Sequence, residues 1–335
     1  MSISSWLKSN DTPVLVAGAI LFALIFIAFF PPFYASIDEH EYVKNAHLVA
    51  SSGSLETPNN TQYCWSKPLE NGNYISGYPI GKSISLIPFL PLPFEWVFLS
   101  GLLIHLINFF ILASIFKKMG LPSTYAFLYL IFPAFVWESR TLYSELLVAT
   151  FFLGAYRAWL SPGNRGAAVA GALLGAALFV RYDAGLALAS LSLYSFFWER
   201  KRILSLLAGA AIPVGLLLAF NNFTHGGFFN TGYGSAGEIF SEDVWSRVIE
   251  KAVTEIPTML ILLTLVLPAS LFALFRWKNP HKWFIGILTL ATVLFFTRFF
   301  TFWALEFSIA HTFTVRLRYF IPLLSLLLIP SAEWY

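Results

Sequence analysis

The sequence predicts an all-α integral membrane protein with about ten transmembrane helices, and three observations carry that expectation. The chain is 57% apolar and only 12% charged, about half the charge of a soluble domain. Several runs reach the ~20 apolar residues that cross a hydrocarbon core. They are apolar without interruption, which favours helices over barrel strands that alternate across about ten residues. Residues 1–335 form a single polytopic domain with two long polar insertions, 31–95 and 221–255. The net charge of +3 is scattered over short loops, so nucleic acid is not an expected partner. Cys64 stands alone and excludes an intramolecular disulfide and a cysteine-rich metal site.

The first ten residues are polar, and the apolar run 14–30 behind them is longer than a signal-peptide core. PPFY follows without a small-residue cleavage site, so the run reads as a retained anchor stopped by Pro31 and Pro32. From Asp38 onward Tyr42, Ala46, Val49 and Ala50 form a stripe opposite Glu41, Lys44 and Asn45, the pattern of an amphipathic helix lying on the membrane interface. Asp38 with Glu41 three residues on also has the form of a capping box. A polar loop, 51–73, holds the sequon Asn59-Asn60-Thr61. In GYPIGKSISLIPFLPLPFEW, Pro88, Pro91 and Pro93 rule out one straight span and predict a second interfacial helix followed by a bend. Spans are expected at 96–116, 122–137, 141–160, 166–180, 184–198, 203–220, 256–275, 283–300 and 319–333. No internal repeat or low-complexity tract interrupts them.

Threading these spans from a cytoplasmic amino terminus places Lys8, Lys117, Lys118, Arg165, Arg200, Lys201, Arg202, Arg276, Lys278 and Lys282 inside, as the distribution of positive charge requires. The loops 31–95, 221–255 and 299–318 then face outward. On that side gather Asp38, Glu39, Lys82, Arg140, Glu145, Arg181, Asp183, Arg298, Arg316 and Arg318. Carboxylates beside guanidinium groups suit a phosphate ester: cations hold the phosphate while a carboxylate deprotonates an attacking hydroxyl. At mid-membrane depth His105 and Asn108 are the main polar residues, expected to hydrogen-bond between helices. So few ionisable groups at depth argue against proton-coupled transport.

The run Asp38-Glu39-His40-Glu41-Tyr42 with Ala46 resembles the acidic motif that opens the first outer loop in the GT-C superfamily of polytopic glycosyltransferases. Its nearest likeness is to the dolichyl-phosphate-mannose protein mannosyltransferases and bacterial aminoarabinose transferases. Further stretches agree in order: Tyr78-Pro79-Ile80-Gly81 with Pro88-Phe89, Tyr143-Ser144-Glu145, the loop GGFFNTGY at 226–233, and Arg318-Tyr319-Phe320-Ile321-Pro322. The resemblance implies a GT-C fold with interfacial helices in its first outer loop, and an enzyme moving a sugar from a polyprenyl-phosphate-linked donor to an acceptor lipid, glycan or protein. Asp38 takes the family's catalytic-base position, with Glu39 and Glu145 lining the acceptor and sugar pocket. Arg318 takes the family's Arg-Tyr position and becomes a candidate for the carrier phosphate.

Charge and location add Lys82 and Arg181 to the phosphate, and Tyr42, Tyr78, Asp183, Tyr233 and Tyr319 complete the expected substrate-binding set. No cofactor is expected, and no metal, because the family reaction with a monophosphate donor is generally metal-independent. The expected location is a prokaryotic plasma membrane with the active site extracytoplasmic. Many relatives continue into further spans or a soluble domain, whereas this sequence ends at Tyr335, which implies reduced or partner-supplied acceptor recognition. The W-W-D-Y-G signature is absent, so transfer of a whole glycan to asparagine is not expected. A polyprenyl-lipid flippase or transporter, and a non-catalytic glycan-assembly subunit, are the alternatives.

Overall fold

A computed structural model gives the fold and describes residues 11–30, 34, 36–58, 66–69, 72–235, 256, 257, 259, 260, 263, 267, 270–299 and 317–334. Lys8, Pro31, Pro32, the sequon, Cys64, the 236–255 part of the second long loop, the 300–316 segment with Arg316, and most of 256–269 lie outside the described residues. The described chain is mostly helical. It runs through α1 (Asp11–Ala28), α2 (Ile37–Ser52), α3 (Ile80–Leu86), α4 (Phe94–Val97), α5 (Leu99–Lys118), α6 (Phe127–Ile131) and α7 (Pro133–Ser139). It continues through α8 (Glu145–Trp159), α9 (Asn164–Ala177), α10 (Gly185–Trp198), α11 (Arg200–His225), α12 (Ser270–Arg276), α13 (Lys282–Phe299) and α14 (Ile321–Trp334).

Among the described residues three helices are long and apolar enough to cross a membrane: α1 with 18 residues, the continuous α4–α5 stretch with 25, and α11 with 26. Helix length does not support ten spans. Helices α8, α9 and α10 hold 15, 14 and 14 residues, only ~21–23 Å at 1.5 Å per residue against a ~30 Å core. The expected span 122–137 is broken into a 3₁₀ turn, α6 and α7. Pro133 has no N–H to continue a helix and forces Phe132 to φ −69°, ψ 126°.

The chain is also not purely helical. Strands β1 (Glu56–Thr57), β2 (Ser66–Pro68) and β3 (Tyr74–Ser76) turn the expected polar loop into an antiparallel sheet of order β1-β3-β2. Its register pairs Glu56 with Ile75 and Lys67 with Ile75. A second ladder joins β4 (Asn230–Thr231) to β5 (Gly234–Ser235).

The core forms around α14, buried continuously from Ile321 to Ala332 and packed on α8, α12 and α13. Helices α9 and α11 pack backbone to backbone through small residues. A Cβ on Gly171 would collide with the Leu206 carbonyl, and one on Gly209 with the Ala168 carbonyl, the close approach that small-residue spacing permits between helices in lipid. His105 Nε2 lies 3.2 Å from the Leu130 carbonyl, and Asn108 donates to Tyr129 Oη and the Leu146 carbonyl, both at 3.0 Å. Both residues act as the expected interhelical links.

Two polar poles cap this apolar body. At one, Lys118 reaches the end of α8 through the Arg157 carbonyl and Ser161, Arg202 donates to the Trp159 and Ser161 carbonyls, and His281 meets Tyr156 Oη at 2.9 Å. The start of α8, with Glu145, belongs to the opposite pole.

Candidate functional site

Asp38 lies in the first turn of α2, but it is not the cap. Ser36 holds that position, and Glu39, third in the helix, reaches back to accept the Ser36 N–H at 2.8 Å. The box is therefore Ser36 with Glu39, not Asp38 with Glu41, and this leaves the Asp38 carboxylate free for long-range contacts. Its Oδ2 accepts from Arg318 Nη2 at 2.7 Å, 280 residues along the chain, and its Oδ1 accepts the Tyr78 hydroxyl at 2.7 Å. The Asp38 side chain remains 24% exposed, whereas Glu145 is 2% exposed. Burial, then the Asp38 charge, push the Tyr78 phenol well above its usual range, so its hydroxyl stays a donor.

Arg318 sits in the 3₁₀ turn Leu317–Phe320 that leads into α14. Its guanidinium lies 4.1 Å from the Tyr143 ring centroid and donates to Tyr319 Oη at 2.9 Å. Its Nε stands 3.6 Å from Glu145 Oε1, an ion pair without a hydrogen bond. Arg181, extended beyond α9, bridges the same acid: Nη1 reaches Glu145 Oε1 at 2.8 Å while Nε reaches Asp183 Oδ1 at 2.9 Å. The Tyr319 ring centroid is 5.0 Å from Arg181 and 4.9 Å from Arg318. Ser144, accepting weakly from Tyr42 Oη and Arg181 Nη1 at 3.4 Å each, ties α2 to this network.

Beneath the rim lies a buried acidic layer. Glu39 is fully buried and accepts the Leu142 N–H at 2.5 Å as well as that of Ser36. It fastens α2 to the turn before α8, a structural duty for a residue expected to line the acceptor and sugar pocket. Lys82 on α3 is 1% exposed. Burial lowers its pKa to about 8, against the upward pull of Glu39, Glu138 and Glu145. Glu138, ending α7 at 1% exposure, was assigned no role by the sequence.

A row of tyrosines walls the rim, with ring centroids 5.4 Å apart for Tyr42 and Tyr78, 6.3 Å for Tyr78 and Tyr233, and 6.1 Å for Tyr182 and Tyr233. Tyr233 is brought there because Gly232 packs directly against the backbone of Gly77, where any Cβ would overlap it. The first long loop is anchored in turn by Gly81, whose N–H donates to the Phe179 carbonyl at 2.6 Å.

Asp38, Glu39, Tyr42, Tyr78, Lys82, Glu145, Arg181, Asp183, Tyr233, Arg318 and Tyr319 thus meet in one place. Arg140 does not join them and bonds the Phe29 carbonyl instead. The amphipathic reading of α2 needs correction: Glu41 and Asn45 are buried, because Asn45 donates to Ser76 Oγ of the sheet at 2.9 Å. Among the described residues no group of three His, Cys, Asp or Glu is arranged to hold a metal ion. The cluster sets two guanidinium groups, Arg181 and Arg318, beside the partly exposed carboxylate of Asp38. No family model, no curated protein and no solved structure matches the chain.

Proposed function

We propose that the chain is a membrane glycosyltransferase of the GT-C type, taking a sugar from a polyprenyl-phosphate carrier and placing it on an acceptor hydroxyl or amine at the outer face of a prokaryotic plasma membrane. The reading counts the shorter helices as spans, about ten in all. One observation carries it: Asp38 and Arg318 meet at 2.7 Å on a partly open rim, with Arg181 joined to Arg318 through Glu145. A carboxylate and two guanidinium groups are then within reach of one substrate.

In the proposed displacement Asp38 takes the acceptor proton as the acceptor atom bonds to the anomeric carbon. The bond from that carbon to the phosphate oxygen breaks, and its electron pair leaves on the phosphate. Arg318 and Arg181 meet the growing negative charge, and a single displacement inverts the anomeric centre. Donor binding has a second effect. The phosphate replaces Asp38 as the partner of Arg318, releasing the carboxylate to act as a base.

Asp38→Asn in the full-length protein is expected to lower turnover by about 10²–10⁴-fold, the usual worth of a general base, with carrier still bound. Sugar transfer is measured from a polyprenyl-phosphate-linked donor in reconstituted membranes. Turnover of the variant at close to the wild-type rate rejects the assignment.

A further inference from the structure

The floor beneath Asp38 contains an acid that the displacement leaves unused. Glu138 is 1% exposed, and its Oε1 has no hydrogen-bond partner among the described residues. Charges and phenols act on it from six places: Glu39 from α2, Lys82 from α3, Tyr129 from α6, Tyr143 from the turn before α8, Glu145 from α8 and Arg318 from the turn before α14, while α5 packs against α7 as well. Arg318 is already engaged by Asp38 and Glu145.

A carboxylate withdrawn from water without a partner is far more costly than its acid form. The charge inventory argues the same way. Ionised together, Asp38, Glu39, Glu138, Glu145 and Asp183 outnumber Lys82, Arg181 and Arg318, and an anionic phosphate would deepen the imbalance. Burial, then the neighbouring Glu145 charge, push the Glu138 carboxyl well above the usual carboxylate range.

We infer that Glu138 is a positioning residue held in its acid form, whose neutrality leaves Lys82 and Arg318 free to act on an anionic head group above them. Ionised, it would become a counterion to both and cancel the field the phosphate needs. The inference rests on the proposed donor only where binding is concerned, since the protonation state belongs to the protein alone.

The test uses the full-length protein in lipid nanodiscs, with farnesyl phosphate as the probe. At neutral pH the wild type is expected to show the infrared carbonyl band of a protonated carboxyl, shifted in D₂O, and Glu138→Gln to lose it. Because Gln copies the neutral acid, the variant is expected to bind farnesyl phosphate within about threefold of wild type. A wild type without the band, a variant that keeps it, or a roughly tenfold loss of binding in the variant overturns the inference. If farnesyl phosphate binds to neither protein, the donor reading falls while the band still decides Glu138. Should Glu138→Gln fail to fold, Glu138→Met is judged by the same band.

Discussion

Lys82 shows most directly what burying a single charged side chain costs. Its ammonium is buried among Glu39, Glu138 and Glu145, yet burial outweighs their attraction and draws its pKa from 10.5 to about 8. The unfolded chain keeps the proton up to 10.5, so between about 8 and 10.5 it binds more protons than the folded one, and stability rises with pH across that window. Below the window the full cost is present, ~3 kcal/mol by linkage arithmetic. Lys82→Met is expected to stabilise the protein at neutral pH by up to ~3 kcal/mol, with the gain fading as pH climbs toward 10.5 and head-group binding weakened throughout. Denaturation in detergent at neutral and alkaline pH measures this, and a Met variant less stable at neutral pH contradicts it. Residue identities at the rim were legible from sequence because Asp38, Glu145 and Arg318 sit in short motifs at the ends of apolar runs. Glu138 was not: it closes an apolar run with no motif around it, and only the fold shows it buried.

At the scale of elements, what the sequence hid was short-range geometry. Strands of two or three residues carry too little alternation to read, and an apolar run looks continuous even where Pro133 cuts it. The α9–α11 contact depends on glycines whose role only packing reveals. Gly209→Val is expected to push the pair apart and cost ~1–3 kcal/mol, as overpacking does. Gly215→Ala on the same helix, with nothing within 4 Å of its Cβ position, is expected to be neutral or to gain up to ~1 kcal/mol from helix propensity. Thermal unfolding of both variants in detergent checks this, and equal losses would refute the close-packing account.

The α10–α11 junction has a pH signature of its own. Burial raises the Glu199 pKa, but His281, 3.8 Å away, and hydrogen bonds from Arg202 and Tyr194 outweigh it and hold the carboxyl from 4.5 down to about 2. That stability is fully present above about 4.5 and is lost as pH falls toward 2. Glu199→Gln is therefore expected to flatten the acid limb of the unfolding profile, and an unchanged limb would exclude the junction as its source.

Across the whole molecule, the two poles stand a helix length apart. Helix α8 runs from Glu145 in the site to Trp159 beside Arg202, ~22 Å over 15 residues, and α11 runs from Arg200 to His225, ~39 Å over 26 residues. The basic residues expected inside and the acid–guanidinium cluster expected outside thus occupy opposite ends of shared helices, which is the separation a two-sided membrane protein requires. Helix length supports three spans, and the proposed topology counts α8, α9 and α10 as well. Such short helices reach across only where the bilayer thins or flanking residues complete the crossing. Sidedness can be read directly with single cysteines in a Cys64→Ser background. Ser52, exposed at the end of α2, and Lys201, exposed at the start of α11, mark the two poles. In intact cells Ser52→Cys is expected to react with a membrane-impermeant maleimide and Lys201→Cys only after permeabilisation. The reverse pattern would put Asp38 on the cytoplasmic side and end the case for an extracytoplasmic donor. Labelling of both in intact cells would show that α11, for all its length and apolarity, does not cross.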